Sequence, residues 1–266
     1  NTIMIAVTLI VVAVPEGLPM SVTLSLAFSM RKLMKENTLP RTMHSCETMG
    51  ATSVICTDKT GTLTQNQMQV ADTKLADISD ELLAEMIATN TTANLDFSDK
   101  KAIKAVGNPT EAALLLWLNG KGISYVAVRE KSEIIDRLPF STENKYMVSV
   151  VKSVVLNKDV AFVKGAPEIL LALSNLDEKQ KQEYQSLLSD YQNKAMRTLA
   201  LAYVESNDSE LVLKDGKLNA KNLNFVGIFA ISDPVREDVP AAINDCVSAG
   251  IQVKIVTGDT SGTAKE

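Results

Sequence analysis

The chain has 266 residues, 45% of them hydrophobic, and a formal net charge of −5, enough for one large domain or two ordinary ones with real cores. Nothing in that composition suggests disorder, and an acidic balance without a clustered basic face argues against nucleic acid as a partner. Cys46, Cys56 and Cys246 form no CxxC pair and fit a reducing, cytosolic setting, while the single histidine, His44, removes mechanisms built on a histidine pair.

Residues 2–14 are almost wholly apolar, and after Pro15-Glu16-Gly17 the apolar character resumes until Arg31, Lys32 and Lys35 end it. Together the two stretches can cross a bilayer, at about 20 residues per helical span. A signal peptide places its basic residues first. In this chain they follow, so the order reads as a membrane helix leaving on a positive, cytoplasmic side, with a buried helix of a soluble core as the alternative. Proline and glycine around Glu16 free backbone carbonyls beside one carboxylate in lipid, an oxygen-rich site for a hard cation such as Ca²⁺. A kinked helix with a snorkelling glutamate is the plainer reading of the same residues.

The apolar run at residues 52–57 ends in Asp58 and a glycine turn, which predicts a buried strand delivering a carboxylate to its C-terminal edge. A carboxylate there can form an acyl phosphate and split one difficult transfer into two easier ones. Lys59 adds positive charge, Thr60 and Thr62 add hydroxyls, and Gly61 lets backbone amides approach phosphate oxygens. Helical patterns follow at residues 79–91 and 108–118, the second opening with Asn108-Pro109-Thr110-Glu111, a cap, a first-turn proline and an acid at the positive end.

Strands are predicted at residues 134–138, 146–156, 160–164 and 198–204, with a hairpin at Asn157-Lys158-Asp159. Residues 176–194 read as a charged, solvated helix. Residues 224–231 form a strand running into Asp233-Pro234, a helix follows at 237–249, and a last strand at 252–256 runs into Thr257-Gly258-Asp259. Three strands that each end in polar or acidic residues suggest one parallel sheet, split in sequence by an inserted domain. Neither an internal repeat nor a low-complexity tract is present.

The run Asp58-Lys59-Thr60-Gly61-Thr62-Leu63-Thr64 resembles the signature of the P-type cation-transporting ATPases. The resemblance extends to Cys46-Glu47-Thr48-Met49-Gly50, Lys164-Gly165-Ala166-Pro167-Glu168, Asp233-Pro234-Val235-Arg236 and Thr257-Gly258-Asp259, all in the family's order. It implies a HAD-like Rossmannoid α/β phosphorylation domain, incomplete in this chain, with a large inserted α+β nucleotide-binding domain, preceded by part of a transmembrane helix. The implied divisions are residues 1–34 for the partial fourth membrane helix and its exit, 35–69 for the first part of the phosphorylation domain, 70–223 for the insert, and 224–266 for the truncated second part.

Carried over by position, Asp58 is similar to the phosphorylated aspartate, and its carboxylate with the Thr60 carbonyl would hold Mg²⁺. Lys59, Thr257, Gly258 and Asp259 would surround the transferring phosphate, and Asp233 and Arg236 look like hinge and nucleotide-facing residues. Glu111, Phe140, Lys145, Lys164 and Arg197 match the nucleotide-binding positions, with Phe140 stacking on adenine, Lys145 and Lys164 lining the pocket and Arg197 reaching the phosphates. Thr142 and Asn144 depart from the pattern, standing where many relatives carry arginine. The form of residues 11–19 resembles the calcium pumps, nearest the plasma-membrane type, with Glu16 and the carbonyls of Val11, Val12 and Val14 as Ca²⁺ ligands. The expected whole is a multi-pass membrane protein with cytoplasmic catalytic domains, whose partners are ATP, Ca²⁺, the lipid bilayer, and the remaining membrane helices and actuator domain of the same chain. By itself this stretch of such a pump is expected to bind nucleotide weakly without turnover. A pump for Mn²⁺ or a monovalent ion, a soluble phosphatase with an aspartate nucleophile, and a nucleotide-binding module without chemistry are the alternatives.

Overall fold

The computed structural model describes residues 2–13, 17–98, 103–205, 213–214, 217–220 and 222–258. The chain divides into two compact units, Asn1–Thr57 with Pro240–Lys254 and Asp58–Val239 with Ile255–Glu266.

The first unit opens with α1 (Thr2–Ala13) and α2 (Gly17–Lys35), which expose Ile3, Leu9, Val12, Leu18 and Phe28. Thr2–Lys35 is the one segment among the described residues long and apolar enough to cross a membrane, by length and composition. It is the segment on which the expected membrane helix falls, and Val14, Pro15 and Glu16, at the expected interruption, lie outside the described residues. Next, α3 (Met43–Gly50) starts where the Thr42 hydroxyl accepts the Ser45 amide at 3.3 Å, a side-chain cap for an otherwise unpaired donor. It leads to β1 (Val54–Asp58).

The second unit is built on a sheet of six strands. In chain order its elements are β2 (Gln69–Leu75), α4 (Asp80–Thr89), β3 (Asn94–Asp96), β4 (Lys104–Val106), α5 (Pro109–Gly120) and α6 (Tyr125–Lys131). They continue with β5 (Glu133–Leu138), β6 (Tyr146–Ser153), β7 (Lys158–Gly165), α7 (Pro167–Leu173), α8 (Glu178–Asn193) and β8 (Arg197–Glu205). The short strands β9 (Leu213–Lys214) and β10 (Lys217–Leu218) pair with each other before β11 (Asn224–Ser232) closes the sheet. The strand order is β2-β11-β8-β7-β6-β5, and every neighbouring pair is antiparallel.

Helix starts follow local chemistry. Ser79 caps α4, Asn108 caps α5 with Pro109 in its first turn, and Asp177 with Gln180 forms a capping box on α8. The sheet is covered on both faces, which explains its continuous apolar runs. In β7, Val160 and Phe162 pack into one core with Leu83, Ile87, Leu114 and Leu118 of α4 and α5. Ala161 and Val163, on the alternate face, pack with Leu170, Leu171, Tyr184 and Tyr191 of α7 and α8. Phe162 and Phe229 are wholly buried, each stabilising the fold by about 1.5–3 kcal/mol. The charged helix α8 is therefore only partly solvated, since Tyr184, Leu188 and Tyr191 form its buried stripe.

After β11, α9 (Val239–Ser248) precedes β12 (Gln252–Val256), and β12 pairs with β1. Two expectations from sequence do not hold. The strand at residues 224–231 does not join β1 and β12 in a parallel sheet; as β11 it lies between β2 and β8. Nor is β1 buried, because its sheet has two strands and Val54 and Ile55 remain 40% and 37% exposed.

Candidate functional site

The turn after β1 is a wide loop over Lys59–Leu63. Asp58 ends the strand exposed, and its Oδ1 accepts the Lys59 amide at 2.8 Å. Gly61 has φ +78°, a left-handed conformation that costs glycine little, and the Thr64 amide returns to the Lys59 carbonyl at 3.1 Å to close the loop. Gln252 at the start of β12 donates to the Ser53 carbonyl at 2.9 Å, just before β1. Asp58 and Thr257-Gly258 therefore follow the same end of the paired strands, while Asp259 lies outside the described residues.

Asp233 and Arg236 meet this loop. Asp233 Oδ2 accepts from the Thr64 hydroxyl at 2.5 Å, and its Oδ1 accepts from the Gln67 amide at 3.1 Å. Arg236 donates from Nη2 to the Gly61 carbonyl and from Nε to the Thr64 carbonyl, both at 3.2 Å. The backbones add Gln65 N to Pro234 O at 3.0 Å and Arg236 N to Leu63 O at 2.9 Å around an antiparallel bridge between Thr64 and Val235. The hinge and nucleotide-facing residues expected from sequence are thus engaged with the turn that follows Asp58.

The antiparallel order gathers the remaining candidates along one edge of the large sheet. β5 ends there before Phe140, β6 begins there after Lys145, β7 ends at Gly165, β8 begins at Arg197, and β11 ends before Asp233. Phe140 is 59% exposed, a ring presented to solvent rather than packed in the core. Lys145 has φ +58°, a strained conformation for a side-chain-bearing residue, and its carbonyl accepts the Ala166 amide at 2.9 Å. A Cβ on Gly165 would stand 2.5 Å from that carbonyl oxygen, so the close approach requires glycine. Lys145 Nζ lies 3.9 Å from Glu168, and Arg197 Nη1 lies 3.5 Å from the Thr110 hydroxyl at the start of α5.

Lys164 and Glu111 form a buried ion pair. The Lys164 ammonium is 4% exposed, 2.9 Å from Glu111 Oε1, and also donates to the Asn90 carbonyl. Glu111 Oε2 accepts from the Thr92 amide at 2.7 Å and from the Thr91 hydroxyl at 2.8 Å. Burial opposes ionisation of Glu111, but the Lys164 charge and these donors outweigh it and hold the carboxyl down at about 2. Burial pushes the Lys164 ammonium down while Glu111 pulls it back. Sequence reasoning missed Asn90, Thr91 and Thr92, because the helical pattern at residues 79–91 takes in the first two, whereas the helix ends at Thr89.

At the Asp58 turn, the donors proposed for Mg²⁺ are two hard oxygens, a carboxylate and the Thr60 carbonyl. Among the described residues no group of three or more His, Cys, Asp or Glu side chains stands together to hold a metal ion. A sparse, exposed oxygen set suits Mg²⁺, which keeps much of its water and binds through one or two carboxylates and the substrate's phosphates. Of the expected Ca²⁺ ligands, Val11 and Val12 lie on α1, and Val14 and Glu16 lie outside the described residues.

The family described as P-type ATPase, cytoplasmic domain N, matches residues 79–238. The chain is 39% identical to the Calcium-transporting ATPase PAT1 of Dictyostelium discoideum, over 98% of this chain and 25% of that protein. It is 37% identical to Calcium-transporting ATPase 10, plasma membrane-type, of Oryza sativa subsp. japonica, over 98% of this chain and 28% of that protein. It is also 37% identical to Calcium-transporting ATPase 9, plasma membrane-type, of Arabidopsis thaliana, over 98% and 27%. The chain spans between 25% and 28% of the length of these relatives.

Proposed function

The chain belongs to the P-type ATPases, and from that premise we propose that it is the catalytic portion of a pump driving Ca²⁺ across a membrane with ATP, through an acyl phosphate on Asp58. The observation that carries this reading is the tie between the Asp58 turn and Asp233–Arg236, at the sheet edge that also gathers Phe140, Lys145 and Arg197.

In the proposed reaction an Asp58 carboxylate oxygen attacks the γ-phosphorus of ATP, a P–O bond forms, and the bond to the β-phosphate oxygen breaks to release ADP. Phe140 stacks on the base, Lys145 and Lys164 line its pocket, and Arg197 offsets the charge of the phosphate chain. Lys59, Thr60, Thr257, Gly258 and Asp259 surround the transferred group. The Asp58 carboxylate and the Thr60 carbonyl would hold Mg²⁺, which would supply charge neutralisation at the phosphate oxygens. Thr60 stands where phosphatases with an aspartate nucleophile carry an acid/base aspartate, which favours a long-lived phosphoenzyme over hydrolysis. Transport uses Glu16 and the carbonyls of Val11, Val12 and Val14, completed by other membrane helices and an actuator domain of the full-length protein in a lipid bilayer, with the catalytic domains on the cytoplasmic side.

The test is acid-stable labelling of the full-length protein with radioactive ATP, with and without Ca²⁺, in wild type and Asp58→Asn. Label is expected only in wild type with Ca²⁺. Label surviving in Asp58→Asn removes the nucleophile assignment, and label that ignores Ca²⁺ but follows Mn²⁺ or a monovalent ion reassigns the cargo.

A further inference from the structure

Thr64 is the most buried residue of the Asp58 turn, 5% exposed, and its hydroxyl is used in both directions. It accepts from the Gly61 amide at 3.1 Å and donates to Asp233 Oδ2 at 2.5 Å. The Gly61 amide shares a peptide plane with the Thr60 carbonyl. Among the described residues no peptide bond is cis, so this plane is trans and the Thr60 C=O points opposite to the Gly61 N–H. A hydrogen bond that fixes the amide therefore fixes the carbonyl.

We propose that Thr64 is a positioning residue whose hydroxyl, held by Asp233, sets the direction of the Thr60 carbonyl as a Mg²⁺ ligand beside Asp58. The proposal rests on the reading of Asp58 and Thr60 as the Mg²⁺ site. The arrangement needs one group that both donates and accepts, which a hydroxyl supplies and a methyl of the same shape does not. Asp233 is itself oriented by the Gln67 amide, so the nearer of the hydroxyl's two acceptors, the other being the Lys59 carbonyl at 3.4 Å, is held in a fixed place. The next peptide plane is held independently, through the Gly61 carbonyl and Arg236 Nη2. Two consecutive planes on either side of a left-handed glycine are thereby pinned, and the one carrying the proposed ligand depends on Thr64.

The experiment uses the full-length pump with Thr64→Val and Thr64→Ser. Mn²⁺ is the metal probe, its binding followed by electron paramagnetic resonance with a non-hydrolysable nucleotide present, alongside the Mg²⁺ dependence of phosphoenzyme formation. Thr64→Val is expected to weaken Mn²⁺ binding and raise the half-saturating Mg²⁺ by about tenfold, with nucleotide affinity in the absence of metal changed by less than about twofold. Thr64→Ser, which keeps the hydroxyl, is expected to stay within about twofold of wild type in all three. Wild-type Mn²⁺ binding in Thr64→Val overturns the proposal. So does equal damage in Thr64→Ser, which would trace the effect to the lost methyl. If Thr64→Val does not accumulate, Asp233→Asn replaces it: the neutral amide is a weaker acceptor, about threefold weaker Mn²⁺ binding is expected, and unchanged binding overturns the proposal. Asp58→Asn run in parallel tests the underlying reading by itself, because a phosphoenzyme that survives that change removes the site whatever Thr64 does.

Discussion

Lys164 and Glu111 stand 2.9 Å apart with 4% and 10% of their side chains exposed, an ion pair closed off from solvent between β7 and α5. Removing one partner leaves the other charge buried and uncompensated. Lys164→Met is expected to destabilise the fold by about 3–5 kcal/mol, measured by urea unfolding, whereas the double substitution Lys164→Met with Glu111→Leu restores much of the loss.

The same pair sets an acid limit. The folded carboxyl of Glu111 is held at about 2, below its ordinary value of 4.5, so its stabilisation is fully present above the ordinary value and is lost as pH falls towards 2. Unfolding free energy measured across that window is expected to fall with acid in wild type, and Glu111→Gln is expected to flatten that part of the profile.

Gly165→Ala places a methyl carbon 2.5 Å from the Lys145 carbonyl oxygen and 2.7 Å from the Tyr146 Cα, both backbone atoms of the neighbouring strand. A loss of about 1–3 kcal/mol is expected in thermal unfolding, the usual cost of overpacking. Because Lys145 already holds a strained φ of +58°, nucleotide affinity is expected to fall as well, and titration with a fluorescent ATP analogue measures it.

Phe140 is 59% exposed and contributes little to the core, so Phe140→Ala is expected to leave the melting temperature unchanged. Loss of stacking on the base is expected to weaken nucleotide binding by about 1–3 kcal/mol, read in the same titration. A large fall in melting temperature with unchanged affinity would make Phe140 structural.

The parts of the fold legible in sequence are those where pattern and burial agree. The hairpin at Asn157 appears where expected, with φ +52° at that residue, and α4 and α5 start at the caps their sequences advertise. β11 is misgrouped from sequence because a continuous apolar run looks alike in a parallel sheet and in an antiparallel one covered on both faces. β2 escapes a pattern reading because its alternation is broken by Asp72 and Lys74, polar residues that serve an edge strand: Tyr191 donates to Asp72 at 2.9 Å, and Lys74 pairs with Glu183 at 3.2 Å. At the site, the run after Asp58 announces the chemistry, but no local pattern joins Thr64 to Asp233 or buries Lys164 against Glu111. Those contacts arise from strand order, which a linear reading does not contain.

Gln69 pairs with Ser232, so the chain enters and leaves the six-stranded sheet at a single point. In an unfolded chain, pairing β1 with β12 means closing a loop that contains the whole intervening segment. Once that segment has folded, only the short linkers before Gln69 and after Ser232 remain to be closed, and the entropic cost of the pairing falls by about 1.5 kcal/mol. Loop-closure entropy therefore favours forming the large sheet before the β1–β12 pair.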